Sequence, residues 1–172
     1  MQPLIVIDEA GLGQYVEAGL ALDLARDMLQ RIVQYLHAEG AWVGLHCCAD
    51  PPWALLFEIG VDVISFDVFR YARTLVHSSK QAATFLMEGG CIAWGITPSD
   101  QYDEGLTPEV LARRLEEIFL QLERNGCDPS RLAEQSLVTT SCGLGKLSER
   151  ENAHLLTLTR EVADAVHTRS KR

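Results

Sequence analysis

The sequence predicts an α/β protein, and more narrowly part of a barrel in which parallel strands alternate with helices. Five short apolar runs alternate with stretches that carry apolar residues at helical spacing. The runs are continuously apolar, which is typical of parallel strands buried on both faces. Polar residues able to do chemistry follow these runs, and in barrels of this type the active site is built where the strands end.

The first two units occupy the N-terminal third of the chain. A strand is predicted at residues 4–7, and a helix follows it up to Gly40. The apolar stripe of that helix consists of Leu20, Leu24, Met28, Ile32, Val33 and Leu36. The second strand is predicted at residues 42–45, and prolines 51 and 52 open a short helix that Gly60 ends.

The remaining units repeat the same alternation. Their strands are predicted at residues 61–66, 91–95 and 136–139. Their helices are predicted at residues 79–88, from the Thr107-Pro108 start, and from the Ser148/Glu151 capping box.

Polar residues follow all five strands, which favours a barrel over an open doubly wound sheet that would gather its site at one crevice. These residues are Asp8, Glu9, His46, Cys48, Asp67, Thr97 and Cys142. A closed TIM (β/α)8 barrel takes about 250 residues. We therefore predict that the single domain 1–172 is a partial TIM barrel, the last five βα units with parallel strands. Because an unclosed sheet exposes edges and apolar faces, we expect a fragment, an oligomer or a partner chain that completes the barrel.

Composition narrows the functional classes. The 47% hydrophobic and 23% charged content is typical of a soluble globular protein, and no apolar run is long enough for a membrane span. A net charge of -9 argues against nucleic acid as a partner. Five cysteines, an odd number, are better explained as thiols or ligands than as a disulfide framework, and we predict a cytoplasmic protein.

The strongest chemical motif is His46-Cys47-Cys48 at the end of the second strand. In extended backbone His46 and Cys48 point to the same side, and an imidazole and a thiolate there make half of a zinc site. Cys142, followed by Gly143, is the best third ligand, and Asp67 is the natural fourth. Sulfur ligands favour zinc over magnesium or calcium.

Each of these residues also has a purely structural interpretation. A lone cysteine is more often a small buried apolar residue than a ligand, which is how we interpret Cys47, Cys91 and Cys127. Asp67 could pair with Arg70 or Arg73. Asp8 and Glu9 could cap a helix.

Four motifs in order resemble the C-terminal catalytic barrel of cobalamin-independent methionine synthase, over nearly the whole chain. They are Asp8-Glu9 after a strand, His46-x-Cys48, the run from Val61 to Asp67, and Ser141-Cys142-Gly143-Leu144. The resemblance implies that His46, Cys48 and Cys142 hold zinc. Asp67 stands where that family has a glutamate ligand, and Asp8, with Glu9, is implied to contact the amino group of a homocysteine-like substrate.

The expected function is zinc-dependent transfer of a methyl group to a thiol, of the methionine-biosynthesis type, from methyltetrahydrofolate or a methyl-corrinoid. The family's proton-donating histidine is absent, since residues 94–104 contain none. A folate donor needs its leaving nitrogen protonated, whereas a corrinoid donor, presented by a possible corrinoid protein, does not. Two alternatives remain open: an enzyme like uroporphyrinogen decarboxylase, from the same barrel superfamily, and a non-catalytic half-barrel subunit.

Overall fold

The computed structural model describes residues 2–13, 22–100, 103 and 105–169. Its strands are β1 (Leu4–Asp8), β2 (Trp42–Cys47), β3 (Val63–Phe66), β4 (Cys91–Thr97) and β5 (Ser136–Thr140). Its helices are α1 (Leu22–Ala38), α2 (Trp53–Glu58), α3 (Val68–His77), α4 (Ser79–Met87), α5 (Pro108–Arg124), α6 (Pro129–Glu134) and α7 (Glu149–Arg169).

The strands form one sheet in the order β1-β2-β3-β4-β5, and every neighbouring pair is parallel. The order of the described strands never reverses, so these strands form no crevice of the kind that a doubly wound sheet uses for its ligand. Right-handed connections between adjacent parallel strands place the helices on one face. The predicted α/β class with five parallel strands in a single sheet is confirmed, and the strand order is consistent with part of a barrel.

The helix-covered face of the sheet carries the large side chains. Phe66 and Trp94 are fully buried there, with their ring centroids 6.1 Å apart. Trp53 of α2 packs edge-on against Phe66 at 4.8 Å, and Phe119 of α5 lies 5.0 Å from Trp94. This aromatic row belongs to the core that anchors the helices to the sheet.

The opposite face of the sheet carries small and polar residues on its central strands. Side chains alternate along a strand, so this face receives Gly44 and His46 from β2, Ser65 from β3, and Ala93 and Gly95 from β4. The same face also receives apolar side chains, which are Leu4 and Val6 from β1, Trp42 from β2, Val63 from β3 and Leu137 from β5. The chemistry-bearing side chains therefore share one face, at the end where the strands finish.

Two helices were not predicted from the sequence. Helix α3 begins immediately after β3, and Asp67 caps it by accepting a hydrogen bond from the backbone N–H of Arg70. Helix α6 is capped in the same way by Asp128, with proline in its first turn. Strands β2 and β4 each extend two residues beyond the predicted ends, which brings His46 onto a strand.

The β1 end of the sheet exposes apolar surface. Leu4, Ile5 and Val6 are 46%, 39% and 48% exposed, and β1 is an edge strand among the described residues. Helix α1 buries Leu29 and Val33 but exposes a second apolar stripe, composed of Leu24, Met28, Ile32 and Tyr35. The predicted stripe of this helix is therefore only partly buried, and its Leu20 lies outside the described residues. In the described part of the chain no helix is long and apolar enough to cross a membrane.

Candidate metal centre

Three side chains from distant parts of the chain converge at the end of the sheet. His46, Cys48 and Cys142 each offer a ligand atom within 4.8 Å of the other two. The Sγ atoms of Cys48 and Cys142, separated by 94 positions in sequence, lie 3.4 Å apart. Because β5 lies three strands away from β2 in the sheet order, this contact requires the sheet to curve and the loop after β5 to reach back towards the end of β2.

The alternation of β2 decides which cysteine takes part. Cys47 is completely buried and belongs to the core beneath the helices, whereas Cys48 is only half-buried. Burial raises the pKa of the Cys47 thiol, which is typical of an inert structural cysteine. The expected pairing of His46 with Cys48 rather than with Cys47 agrees with this geometry.

His46 is held as a neutral imidazole with one free nitrogen. Burial lowers its pKa, and the nearby carboxylates of Asp8 and Asp67 oppose that shift only in part. Nδ1 lies 2.9 Å from the Ser65 hydroxyl, while Nε2 is buried without any hydrogen-bond partner. A buried, unpaired polar atom is costly, and a metal ion would satisfy it.

The Cys48 thiol stays protonated when no cation is near it. Burial, followed by the hydrogen bond with Cys142, raises the pKa of Cys48 to about 12. Two sulfurs at about 2.3 Å from a tetrahedral zinc lie roughly 3.8 Å apart, so a 3.4 Å separation needs little adjustment. One nitrogen and two sulfur donors suit zinc, and the residues present therefore fit that ion.

Buried hydroxyls hold the segment before Cys142. The Ser141 hydroxyl accepts a hydrogen bond from the backbone N–H of Ser99 at 3.0 Å and lies 3.0 Å from the Ser99 hydroxyl. The backbone N–H of Ser141 donates to the carbonyl of Thr97 at 2.8 Å. These bonds tie the cysteine loop to the end of β4.

Gly95 permits this close approach of β4 and β5. A Cβ at position 95 would lie 2.9 Å from Cα of Ser141 and would also meet the carbonyl oxygen of Phe66, and neither backbone atom can move freely. We expect Gly95→Ala to lower the free energy of unfolding by roughly 1–3 kcal/mol in urea denaturation. It should also weaken metal binding, because the loop carrying Cys142 is displaced.

Gly143, in the loop that carries Cys142, provides a matched control for Gly95. A Cβ at Gly143 would meet no heavy atom within 4 Å. Gly143→Ala should leave both the unfolding free energy and the metal affinity within a few-fold of the wild-type values. Equal behaviour of the two variants would contradict the role assigned to Gly95.

Asp67 is already engaged by Arg70. One carboxylate oxygen accepts from the Arg70 backbone N–H at 2.9 Å, and the other pairs with the guanidinium at 3.3 Å. Arg70 also pairs with Asp100. Burial raises the pKa of Asp67, and Arg70 opposes the shift. Asp67 is not among the residues that converge with His46 in the described chain, so its role as fourth ligand stays a prediction.

Asp8 ends the exposed edge strand β1 beside the centre, and Glu9 follows it. Asp8 is paired in register with His46, and its charge acts on both His46 and Cys48. The backbone N–H of Glu9 donates to the His46 carbonyl at 2.9 Å, and its side chain accepts from the backbone N–H of Gly11. Asp8 is thus an exposed carboxylate next to the thiols, and Glu9 helps to shape the loop.

A second network fixes the loop that follows Cys48, and sequence reasoning missed it. The Thr74 hydroxyl donates to Asp50 at 2.6 Å and accepts from the indole N–H of Trp53 at 3.0 Å. Gly13 packs against this loop, since a Cβ there would lie 2.6 Å from that of Ala49. The sequence separation of 24 positions between Asp50 and Thr74 leaves no local signal for the contact.

The fold and this centre together define an α/β protein with a cluster of one nitrogen and two sulfur donors, able to hold a metal ion, at the carboxyl ends of its parallel strands. No protein-family model matches the sequence, and a sequence search finds no match among curated proteins. Among solved structures the chain is similar to a B12-independent methionine synthase from Shewanella sp. W3-18-1, determined in complex with selenomethionine.

That similarity has a TM-score of 0.69 and covers 96% of this chain at 15% sequence identity. It covers 49% of the Shewanella chain, so this protein spans about half the length of its structural neighbour. At this identity the similarity establishes a shared fold.

Proposed function

We propose that this chain is the thiol-activating part of a zinc-dependent methyltransferase whose acceptor is a homocysteine-like thiol. The observation that carries the proposal is the convergence of His46, Cys48 and Cys142 around a buried imidazole nitrogen that has no partner. The similarity in fold to a methionine synthase supports the same conclusion. Three protein ligands with an open fourth position are the usual arrangement of catalytic zinc.

In this proposal the residues of the chain have two roles, since three of them hold the metal and Asp8 orients the acceptor. Zinc, when bound, supplies the Lewis acidity that makes a coordinated thiol a thiolate near neutral pH. His46, Cys48 and Cys142 would hold it, and both cysteines would release their protons on binding. The exposed carboxylate of Asp8, whose charge acts on Cys48, would accept hydrogen bonds from an ammonium group on the acceptor.

The methyl donor is proposed from the residues that surround the end of β4. Residues 94–104 include no histidine. A methyl-corrinoid donor needs no proton on its leaving group, unlike methyltetrahydrofolate, so it suits this chain better. We expect methylcobalamin to methylate homocysteine in the presence of this protein without folate, as measured by methionine formation. Activity seen only with methyltetrahydrofolate would contradict the choice of donor.

We further propose that the fold is a partial TIM barrel that a second chain or another segment completes. The unreversed strand order supports this interpretation, and so do exposed apolar side chains such as Trp42 and Leu137 on the sheet face opposite the helices. The exposed residues of β1 and α1 supply apolar surface for the contact. A non-catalytic subunit would expose the same surface, but it would have no use for the convergent thiols. The five free thiols support the cytoplasm as the location.

A further inference from the structure

We infer that Ser65 is a positioning residue of the proposed metal centre, holding His46 in the tautomer that leaves Nε2 free to bind the ion. The inference rests on the proposed function, because it presumes that His46 is a ligand. Ser65 lies in the run from Val61 to Asp67, in which only Asp67 was predicted to have a role, and it acts through His46 rather than on a substrate.

The backbone register places these two side chains together. His46 of β2 and Ser65 of β3 are direct partners in the parallel ladder, so both point to the same face of the sheet. Their side chains meet at 2.9 Å between Nδ1 and Oγ. Because both residues lie on paired strands rather than on loops, the contact is set by the sheet and does not depend on loop conformation.

The direction of this hydrogen bond determines which ring nitrogen keeps the lone pair that can bind a metal ion. A serine hydroxyl can accept or donate, whereas a neutral imidazole has one N–H and one lone pair. If Nδ1–H donates to Ser65, the lone pair lies on Nε2. If Ser65 donates instead, Nε2 carries a proton that no acceptor meets, because Nε2 is buried and unpartnered.

A metal ion can bind Nε2 only in the first arrangement, in which Nδ1–H donates to the Ser65 hydroxyl. A metal at Nε2 would satisfy the buried lone pair, and the Ser65 hydroxyl would satisfy the remaining N–H. Metal-binding histidines generally donate their second ring N–H to an oxygen, and loss of that partner weakens metal binding by about 10–100-fold. Ser65 is in the right place to be that oxygen.

The test compares two variants of almost equal shape, Ser65→Thr and Ser65→Val, in the full chain. Both are β-branched and suit a strand, but only threonine keeps the hydroxyl. Zinc affinity is measured by competition with a chromophoric chelator, and cobalt(II) is used as a spectroscopic probe. Ser79→Ala, which removes a buried hydroxyl on α4, serves as the control.

We expect Ser65→Thr and Ser79→Ala to bind zinc like the wild type and Ser65→Val to bind it about 10–100-fold more weakly. The thiolate-to-cobalt absorption should persist in Ser65→Val, while the ligand-field bands shift as the imidazole reorients. Equal zinc affinity of the threonine and valine variants would overturn the role of Ser65. Failure of the wild type itself to bind zinc would instead overturn the proposed function.

Discussion

Replacing Cys142 with alanine is expected to abolish stoichiometric zinc binding, with affinity at least about 100-fold below that of the wild type. The variant leaves one imidazole and one thiol, and two ligands cannot hold a structural or catalytic zinc tightly. Cys142 is exposed, so its loss should leave the unfolding free energy nearly unchanged. Zinc content after dialysis and the melting temperature measure the two effects separately.

Cys91→Ala is the matched control for that experiment. Cys91 also carries a free thiol, but it begins β4 and is not part of the convergent group in the described chain. Its substitution should leave zinc content unchanged. If Cys142→Ala retained zinc like Cys91→Ala, the centre would be wrongly assigned. Loss of zinc together with methyl transfer would also argue against the decarboxylase alternative, whose chemistry requires no zinc.

The second prediction concerns association through the end of the sheet formed by β1 and α1. We expect the purified chain to self-associate, or to bind a second chain, in sedimentation velocity experiments. The edge strand β1 and the exposed stripe of α1 together present apolar side chains that water solvates poorly. Met28→Lys combined with Ile32→Glu should shift the distribution towards monomer by placing charges in the contact.

Met87→Lys provides the control for association. Met87 on α4 is 63% exposed, against 57% for Met28, but it lies on the helix between β3 and β4, which are interior strands of the sheet. Its substitution should leave the sedimentation profile unchanged. A wild-type chain that sediments as a single monomer and unfolds cooperatively would contradict the proposed partial barrel.

Much of the fold could be predicted because the signals are local. Continuous apolar runs predict buried parallel strands, and each predicted strand overlaps one of β1 to β5. Helix α3 was missed because it starts directly after β3, and its cap Asp67 was interpreted only as a ligand or an ion-pair partner. The two apolar stripes of α1 look alike in sequence, and only the packed structure shows that Val33 is buried and Met28 exposed.

The site was predictable to a different degree for each residue. The alternation of an extended strand is enough to pair His46 with Cys48, and Cys142 followed from its position after the fifth predicted strand. The contacts of Ser65 and Gly95 depend on strand register and on a backbone approach between neighbouring strands. Such contacts join positions far apart in sequence, so no local pattern signals them.

The measurement that tests the central claim most directly is X-ray absorption at the zinc edge on the purified full chain, before and after a homocysteine-like thiol is added. We predict one zinc per chain with nitrogen from His46 and sulfur from Cys48 and Cys142, and one further sulfur when the thiol binds. A chain without zinc, or a zinc environment that gains no sulfur from the added thiol, would contradict the account.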